Sequence, residues 1–324
     1  MNRRPANIDI TAKIGLILIT VTLLQRHCIY RYMVYICKVE IKLRQFDMMI
    51  NTIIWDPNDA LIDLGFFALR YYSLFFLLAF VFSYIVVKKQ FIKHEINVEL
   101  MDSLTVYVVL GTLIGARLGH CLFYDFAYYS KHPLEIILPF TFTPEFRITG
   151  FQGLASHGGG IGIMVSLILF SRKFKIKLWF LLDQIALVVP LAGACIRMGN
   201  LMNSEIIGKP TDVSWAFVFL KDDNIPRHPA QLYEAIAYLL IFSFVYLMVK
   251  KYPKPSGFYF GLVIFLIFCF RIAIEFIKED QSAFEAGMLL NMGQILSIPF
   301  ILTGLFIMYM KNKEQAVVLG ITKL

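Results

Sequence analysis

Seven runs of roughly twenty mostly apolar residues dominate this chain, at 66–87, 104–124, 158–170 with part of the segment before it, 178–196, 230–249, 257–277 and 292–310. About that length is needed for an α-helix to cross the hydrocarbon core of a bilayer. Lipid offers a spanning backbone no hydrogen-bond partner but itself, so such runs are helices. Composition agrees. The 324 residues are 58% hydrophobic and 17% charged, with a mean hydropathy of +0.66, against about 45–50% apolar residues in a water-soluble domain. The expected fold class is therefore an all-α polytopic membrane protein with seven transmembrane helices. The third run is short and glycine-rich, so its start is the least defined. Pro190, inside the fourth, is tolerable because neighbouring helices can satisfy the carbonyl it frees.

Charge supplies the orientation. Thirteen basic residues follow the first, third, fifth and seventh runs: Lys88, Lys89, Lys93, Arg172, Lys173, Lys175, Lys177, Lys250, Lys251, Lys254, Lys311, Lys313 and Lys323. The other loops carry six, Lys131, Arg147, Lys209, Lys221, Arg227 and Lys278. The positive-inside rule then puts the N-terminus of the first span outside and the C-terminus in the cytoplasm. A formal charge of +8 fits cytoplasmic loops beside anionic lipid. With no RNA-binding or helix-turn-helix signature, no nucleic-acid partner is expected.

Residues 1–47 read as an N-terminal extension. Ile14 to Leu24 is too short to span and lacks a small-residue cleavage site, which argues against a signal peptide. The basic residues that follow would sit awkwardly outside. Translation is expected to begin at Met48 or Met49, leaving 56–310 as the transmembrane domain and 311–324 as a cytoplasmic tail. Cys28, Cys37, Cys121, Cys195 and Cys269 form no CxxC pair and are expected to be unpaired, the last three as buried small hydrophobes.

Once orientation is assigned, the polar residues fall on one side. Arg70, Tyr71 and Tyr72 open the first run; Arg117 lies near the outer end of the second; His157 precedes the glycines Gly158 and Gly159 of the third. Arg197 closes the fourth, followed by Asn200, Asn203 and Glu205. His228, Gln231, Tyr233 and Glu234 open the fifth, Arg271 and Glu275 end the sixth, and Gln294 begins the seventh. The inner halves look nearly bare apart from Asp183. An arginine at the centre of a membrane helix costs about 2.5–3.5 kcal/mol on insertion scales, so such residues are expected to face the bundle interior. Structural roles compete: Arg271 and Glu275, at i,i+4, could neutralise each other, Arg117 could cap or snorkel, and the tyrosines could belong to an interfacial belt. An arginine, two amides and a carboxylate together exceed what one helix end requires. No His-Glu-x-x-His or carboxylate pair suggests a metal, and neither metal nor cofactor is expected.

Seven ordered segments carry a family likeness. ALRYYSLFF (68–76), GARLGHCLFY (115–124), SHGGGIG (156–162), IRMGNLMNSEIIGK (196–209), RHPAQLYE (227–234), FRIAIEF (270–276) and MGQILSIP (292–299) resemble, in order, the motifs of the prolipoprotein diacylglyceryl transferases of the bacterial inner membrane. Two positions depart from the pattern: Ser73 stands where glycine is usual, and Ile267 where tyrosine is expected. The resemblance implies an enzyme that moves the diacylglyceryl group of phosphatidylglycerol onto the lipobox cysteine of a prolipoprotein signal peptide. A thioether forms and glycerol phosphate leaves, on the periplasmic side of the membrane, as the first step of lipoprotein maturation. It further implies that Arg197 and Arg271 handle the phosphate. His157, Tyr72, Asn200, Asn203, Glu205 and Glu275 join the functional set, and Arg117, Gly158, Gly159, His228, Gln231 and Glu234 are expected at the substrate. The thiol proton is expected to pass to His157, although the field of the arginines could lower the thiol pKa without a dedicated base. Other classes predict other features. A channel needs polar residues along both halves of its path, a retinal protein a lysine in the last span, and an intramembrane serine protease a nucleophile context that Ser156 and Ser204 lack.

Overall fold

A computed structural model describes residues 52–58, 60–63, 68–138, 140–141, 147–148, 153–279, 285 and 288–318; the expectations for residues 1–47, including Cys28 and Cys37, lie outside them. The chain divides into two compact units, residues 1–56 with 210–228, and 57–209 with 229–324.

The smaller unit is β structure that hydropathy does not announce. β1 (Ile53–Trp55) pairs in parallel with β6 (Phe217–Phe219), which pairs antiparallel with β7 (Pro226–Arg227). All three β6 residues are buried, and Trp55 packs on Phe217 with ring centroids 5.3 Å apart. Arg227 ties the hairpin by donating to both Asp223 carboxylate oxygens, at 2.7–3.2 Å. Its guanidinium holds the Asp223 carboxyl below the usual carboxylate range. The fold is thus not purely helical.

In the larger unit, a two-stranded ribbon of β2 (Ala60–Asp63) and β3 (Ala68–Arg70) leads into α1 (Tyr71–Lys93). The first helix therefore starts at Tyr71 rather than at 66, because pairing with β2 holds 68–70 extended. Then follow α2 (Glu99–Phe123), the single turns α3 (Phe126–Tyr129) and α4 (Leu134–Ile137), the β4 (Phe140–Thr141) and β5 (Arg147–Ile148) pair, α5 (Ser156–Phe174), α6 (Leu178–Met202), α7 (Ala230–Lys251), α8 (Phe258–Glu275) and α9 (Met292–Val318). Residues 311–318, expected in a tail, continue the last helix.

Six of the helices, α1, α2, α6, α7, α8 and α9, are long and apolar enough to cross a membrane among the described residues. The expected third span, α5, is a 19-residue helix, but its Ser-His-Gly-Gly-Gly start and Ser-Arg-Lys end shorten the apolar stretch. Two of its glycines, Gly158 and Gly162, serve packing. A Cβ on Gly115 would collide with the Gly158 carbonyl, and one on Gly158 with the Gly115 carbonyl. The α2 and α5 backbones touch where any side chain would hold them apart, the logic of small-residue membrane crossings.

At the opposite end of the bundle the core is apolar, with Val87, Phe91, Leu104, Leu167, Phe170, Leu181 and Leu182 in one cluster. That end is less bare than expected: Gln90 and Gln184 are buried within it. Asp183 has a structural task there. Its two oxygens accept the Gly257 and Phe260 amides, each at 2.7 Å, so a carboxylate on α6 caps the N-terminus of α8, where free amides and the helix dipole favour negative charge.

Candidate functional site

The last two turns of α6 carry the densest polar cluster. The helix runs past Arg197 to Met202, six residues beyond the end of the apolar run, because the polar face of its final turns is covered by α1 and α7 rather than by lipid. Gly199 makes this close approach possible: a Cβ there would stand 2.9 Å from the Tyr72 ring. Beyond the helix, Ser204 and Ile206 adopt left-handed backbone, with φ of 57° and 58°. For branched Ile206 that conformation costs about 1–2 kcal/mol.

That tight turn returns Glu205 over the helix end. Its carboxylate accepts Nδ2 of Asn200 at 3.1 Å and of Asn203 at 3.0 Å. Its carbonyl accepts Nε2 of the fully buried Gln231 at 2.6 Å. Asn200 Oδ1 in turn accepts from an Arg197 terminal nitrogen at 3.2 Å. The two amides and the carboxylate thus form a scaffold that holds one face of the arginine.

Gln231, Glu234 and Tyr238 follow one another at spacings of three and four on α7, so all face α6. Glu234 is 1% exposed, and its Oε2 lies 2.9 Å from Arg197 Nε. The approach is off the N–H axis, so the contact is chiefly Coulombic. On α8, Arg271 Nε is 3.6 Å from Glu275 Oε1. Glu275 also accepts Asn291 Nδ2 at 3.1 Å and presses on Gly293, where a Cβ would sit 2.6 Å from its carboxylate. Gln294 closes this corner by donating to the Ile272 carbonyl at 3.3 Å.

Beside the cluster lies a cavity of about 420 Å³ lined by Tyr72, Val189, Pro190, Gly193, Ile196, Arg197, Asn200, Ile206, Tyr238 and Ile267. It is amphiphilic: the guanidinium, amide and phenols lie toward the end of α6, and Val189, Pro190 and Ile267 lie deeper. Its size suits a ligand pocket. Ile267, where the family resemblance predicts tyrosine, is part of the apolar wall, and Arg271 follows one turn later on α8. A larger groove of about 470 Å³ along α2 and α5 is lined by apolar side chains and glycines, with Ser166 and Tyr107 its polar members. It offers no charge for chemistry.

The expected site residues thus divide. Tyr72, Arg197 and Asn200 line the cavity, and Asn203, Glu205, Gln231, Glu234, Arg271 and Glu275 belong to the surrounding network. Arg117 lies elsewhere, its guanidinium donating to the Glu135 and Ile136 carbonyls over the Tyr129 ring. Gly158 and Gly159 are buried along α2. His157 is exposed in the first turn of α5 and is not among the residues lining the cavity. His228 is half-buried at the end of the smaller unit. Sequence reasoning missed Tyr238 and Lys278. Tyr238 was legible as one turn beyond Glu234. Lys278, assigned to a loop, is 3% exposed, with Nζ 3.3 Å from Glu275 Oε1 and 3.9 Å from Glu234 Oε1.

Apolar helices of spanning length around a cluster of arginines, lysine and carboxylates beside an amphiphilic cavity define a polytopic membrane protein with a charged internal site. A model of the prolipoprotein diacylglyceryl transferase family matches residues 59–310, and the chain belongs to that family. It is similar to the phosphatidylglycerol–prolipoprotein diacylglyceryl transferase of Bacteroides fragilis, 48% identical over 273 residues, which cover 83% of this chain and 99% of that relative. The namesakes from Tolumonas auensis and Chloroherpeton thalassium are each 40% identical, over 264 and 265 residues. These alignments cover 81% of this chain, and 98% and 95% of the respective relatives.

Proposed function

We propose that this chain transfers the diacylglyceryl group of phosphatidylglycerol to the lipobox cysteine of prolipoproteins. The similarity to the Bacteroides fragilis transferase over 99% of its length carries the reading, and the arginine–carboxylate cluster beside the cavity is consistent with it. The substrate sulfur attacks the glycerol carbon esterified to phosphate and the C–O bond breaks. A thioether forms, glycerol phosphate leaves with the bonding pair, and the thiol proton is given up.

The phosphodiester enters with one negative charge and departs as a monoester with two. Fixed cations beside it therefore stabilise the transition state more than the ground state. Arginine suits this task because its planar fork stays charged and meets two phosphate oxygens at once. Arg197 and Arg271 are assigned to the phosphate, with Asn200, Asn203 and Glu205 holding Arg197 in place. The apolar wall of Val189, Pro190 and Ile267 suits the glycerol and the first acyl carbons. His157 is assigned to take the thiol proton.

The site is assigned to the extracytoplasmic side of the bacterial cytoplasmic membrane, with seven spans and a cytoplasmic C-terminus. The excess of basic residues in alternate loops supports this orientation. The decisive experiment combines purified protein in detergent with phosphatidylglycerol and a lipobox peptide. The peptide mass should rise by one diacylglyceryl unit as glycerol phosphate appears in equal amount. An unmodified peptide, with active transferase from a relative as control, refutes the assignment.

A further inference from the structure

Lys278 lies three residues past the end of α8, yet its side chain is 3% exposed. Backbone contacts hold the segment in place: Gly208 bridges to Lys278, and the Lys209 and Glu279 amides donate to the Ile277 and Ile207 carbonyls. The ammonium faces two buried carboxylates, Glu275 Oε1 at 3.3 Å and Glu234 Oε1 at 3.9 Å. The other Glu234 oxygen meets Arg197, and Glu275 Oε1 also meets Arg271. One lysine therefore stands between two arginine–glutamate pairs that come from three helices.

Among the described residues, the groups that meet directly in this chain of ion pairs are few enough to count. Three cations, Arg197, Arg271 and Lys278, and two carboxylates, Glu234 and Glu275, leave a formal charge of plus one. Glu205 stands outside this set, since it reaches Arg197 through the Asn200 amide rather than by an ion pair. Buried charges left unmatched are costly, and a phosphodiester brings one negative charge. Resting on the site assignment above, we propose that Lys278 is a positioning residue. Its ammonium keeps Glu234 on Arg197 and Glu275 on Arg271, and supplies the excess charge that one phosphodiester anion neutralises. Without it, the carboxylates would consume both arginines and the cluster would carry no net charge for an anionic headgroup.

The test is steady-state transfer to a lipobox peptide with phosphatidylglycerol varied, for the wild type, Lys278→Arg, Lys278→Met and the double variant Glu275→Gln/Lys278→Met. Lys278→Met should raise the KM for phosphatidylglycerol about tenfold or more, with a smaller change in kcat. Lys278→Arg should stay within about threefold of wild type. The double variant removes one charge of each sign and restores the count. Its KM should fall at least about threefold below that of Lys278→Met; if Lys278→Met does not fold, the double variant decides the matter by a KM within about threefold of wild type, and a KM raised about tenfold or more overturns the role. A wild-type KM in Lys278→Met, equal impairment in Lys278→Arg, or no recovery in the double variant overturns the role of Lys278. Arg197→Lys in the same assay separates the two readings. If it is nearly inactive while Lys278→Met is normal, only the role of Lys278 falls.

Discussion

Replacing Arg197 by lysine keeps the charge and removes the geometry. The native guanidinium uses Nε toward Glu234 at 2.9 Å and one terminal nitrogen toward Asn200 at 3.2 Å, is hydrogen-bonded to the Tyr238 phenol as well, and borders the cavity. A lysine ammonium that stays with Glu234 gives up Asn200 and the bidentate grip on phosphate. A hydrogen bond to a charged group contributes about 1.5–3 kcal/mol. Losing two raises the barrier by roughly 3–6 kcal/mol, or about 10²- to 10⁴-fold in kcat/KM. The assay is peptide mass after reaction with phosphatidylglycerol, in a variant whose gel-filtration profile in detergent matches wild type. Transfer within about tenfold of wild type would refute the clamp, because charge alone would then suffice.

If His157 takes the thiol proton, His157→Gln slows transfer about 10²-fold or more and alters the pH–rate profile; an unchanged profile with a surviving rate removes the residue from proton transfer. Asp183→Asn loses one of two acceptor oxygens and the charge at the start of α8, and should destabilise by about 1–2 kcal/mol, read as a lower melting temperature in detergent; an unchanged melting point would contradict the cap. In the smaller unit, Arg227 holds the Asp223 carboxyl below its ordinary value. Its stabilisation is complete above about pH 4 and is lost as pH falls through the depressed value. Hydrogen exchange in 210–228 should quicken there in the wild type and show no such step in Asp223→Asn.

Apolar run length located the membrane helices because a bilayer imposes a minimum span that few other structures imitate. It did not locate their ends. Hydropathy registers where the apolar residues stop, whereas α6 continues to Met202 because its polar end turns toward other helices. The burial of Lys278 was missed for the same reason: in sequence it is a charge after a hydrophobic run, and only the packing of 207–209 against 277–279 buries it. The β1–β6 pairing escaped notice because its three-residue strands lie more than 150 residues apart. Arg197 and Arg271 were legible because arginine is expensive near lipid. Their network through Glu234, Lys278 and Glu275 depends on three helices meeting, which no local pattern encodes.

The glycine contact between α2 and α5 has a mechanical consequence. Where two backbones touch with no side chains between them, there is no rotamer to swing aside. Opening this seam would mean separating the two backbones themselves, which no side-chain rotation achieves.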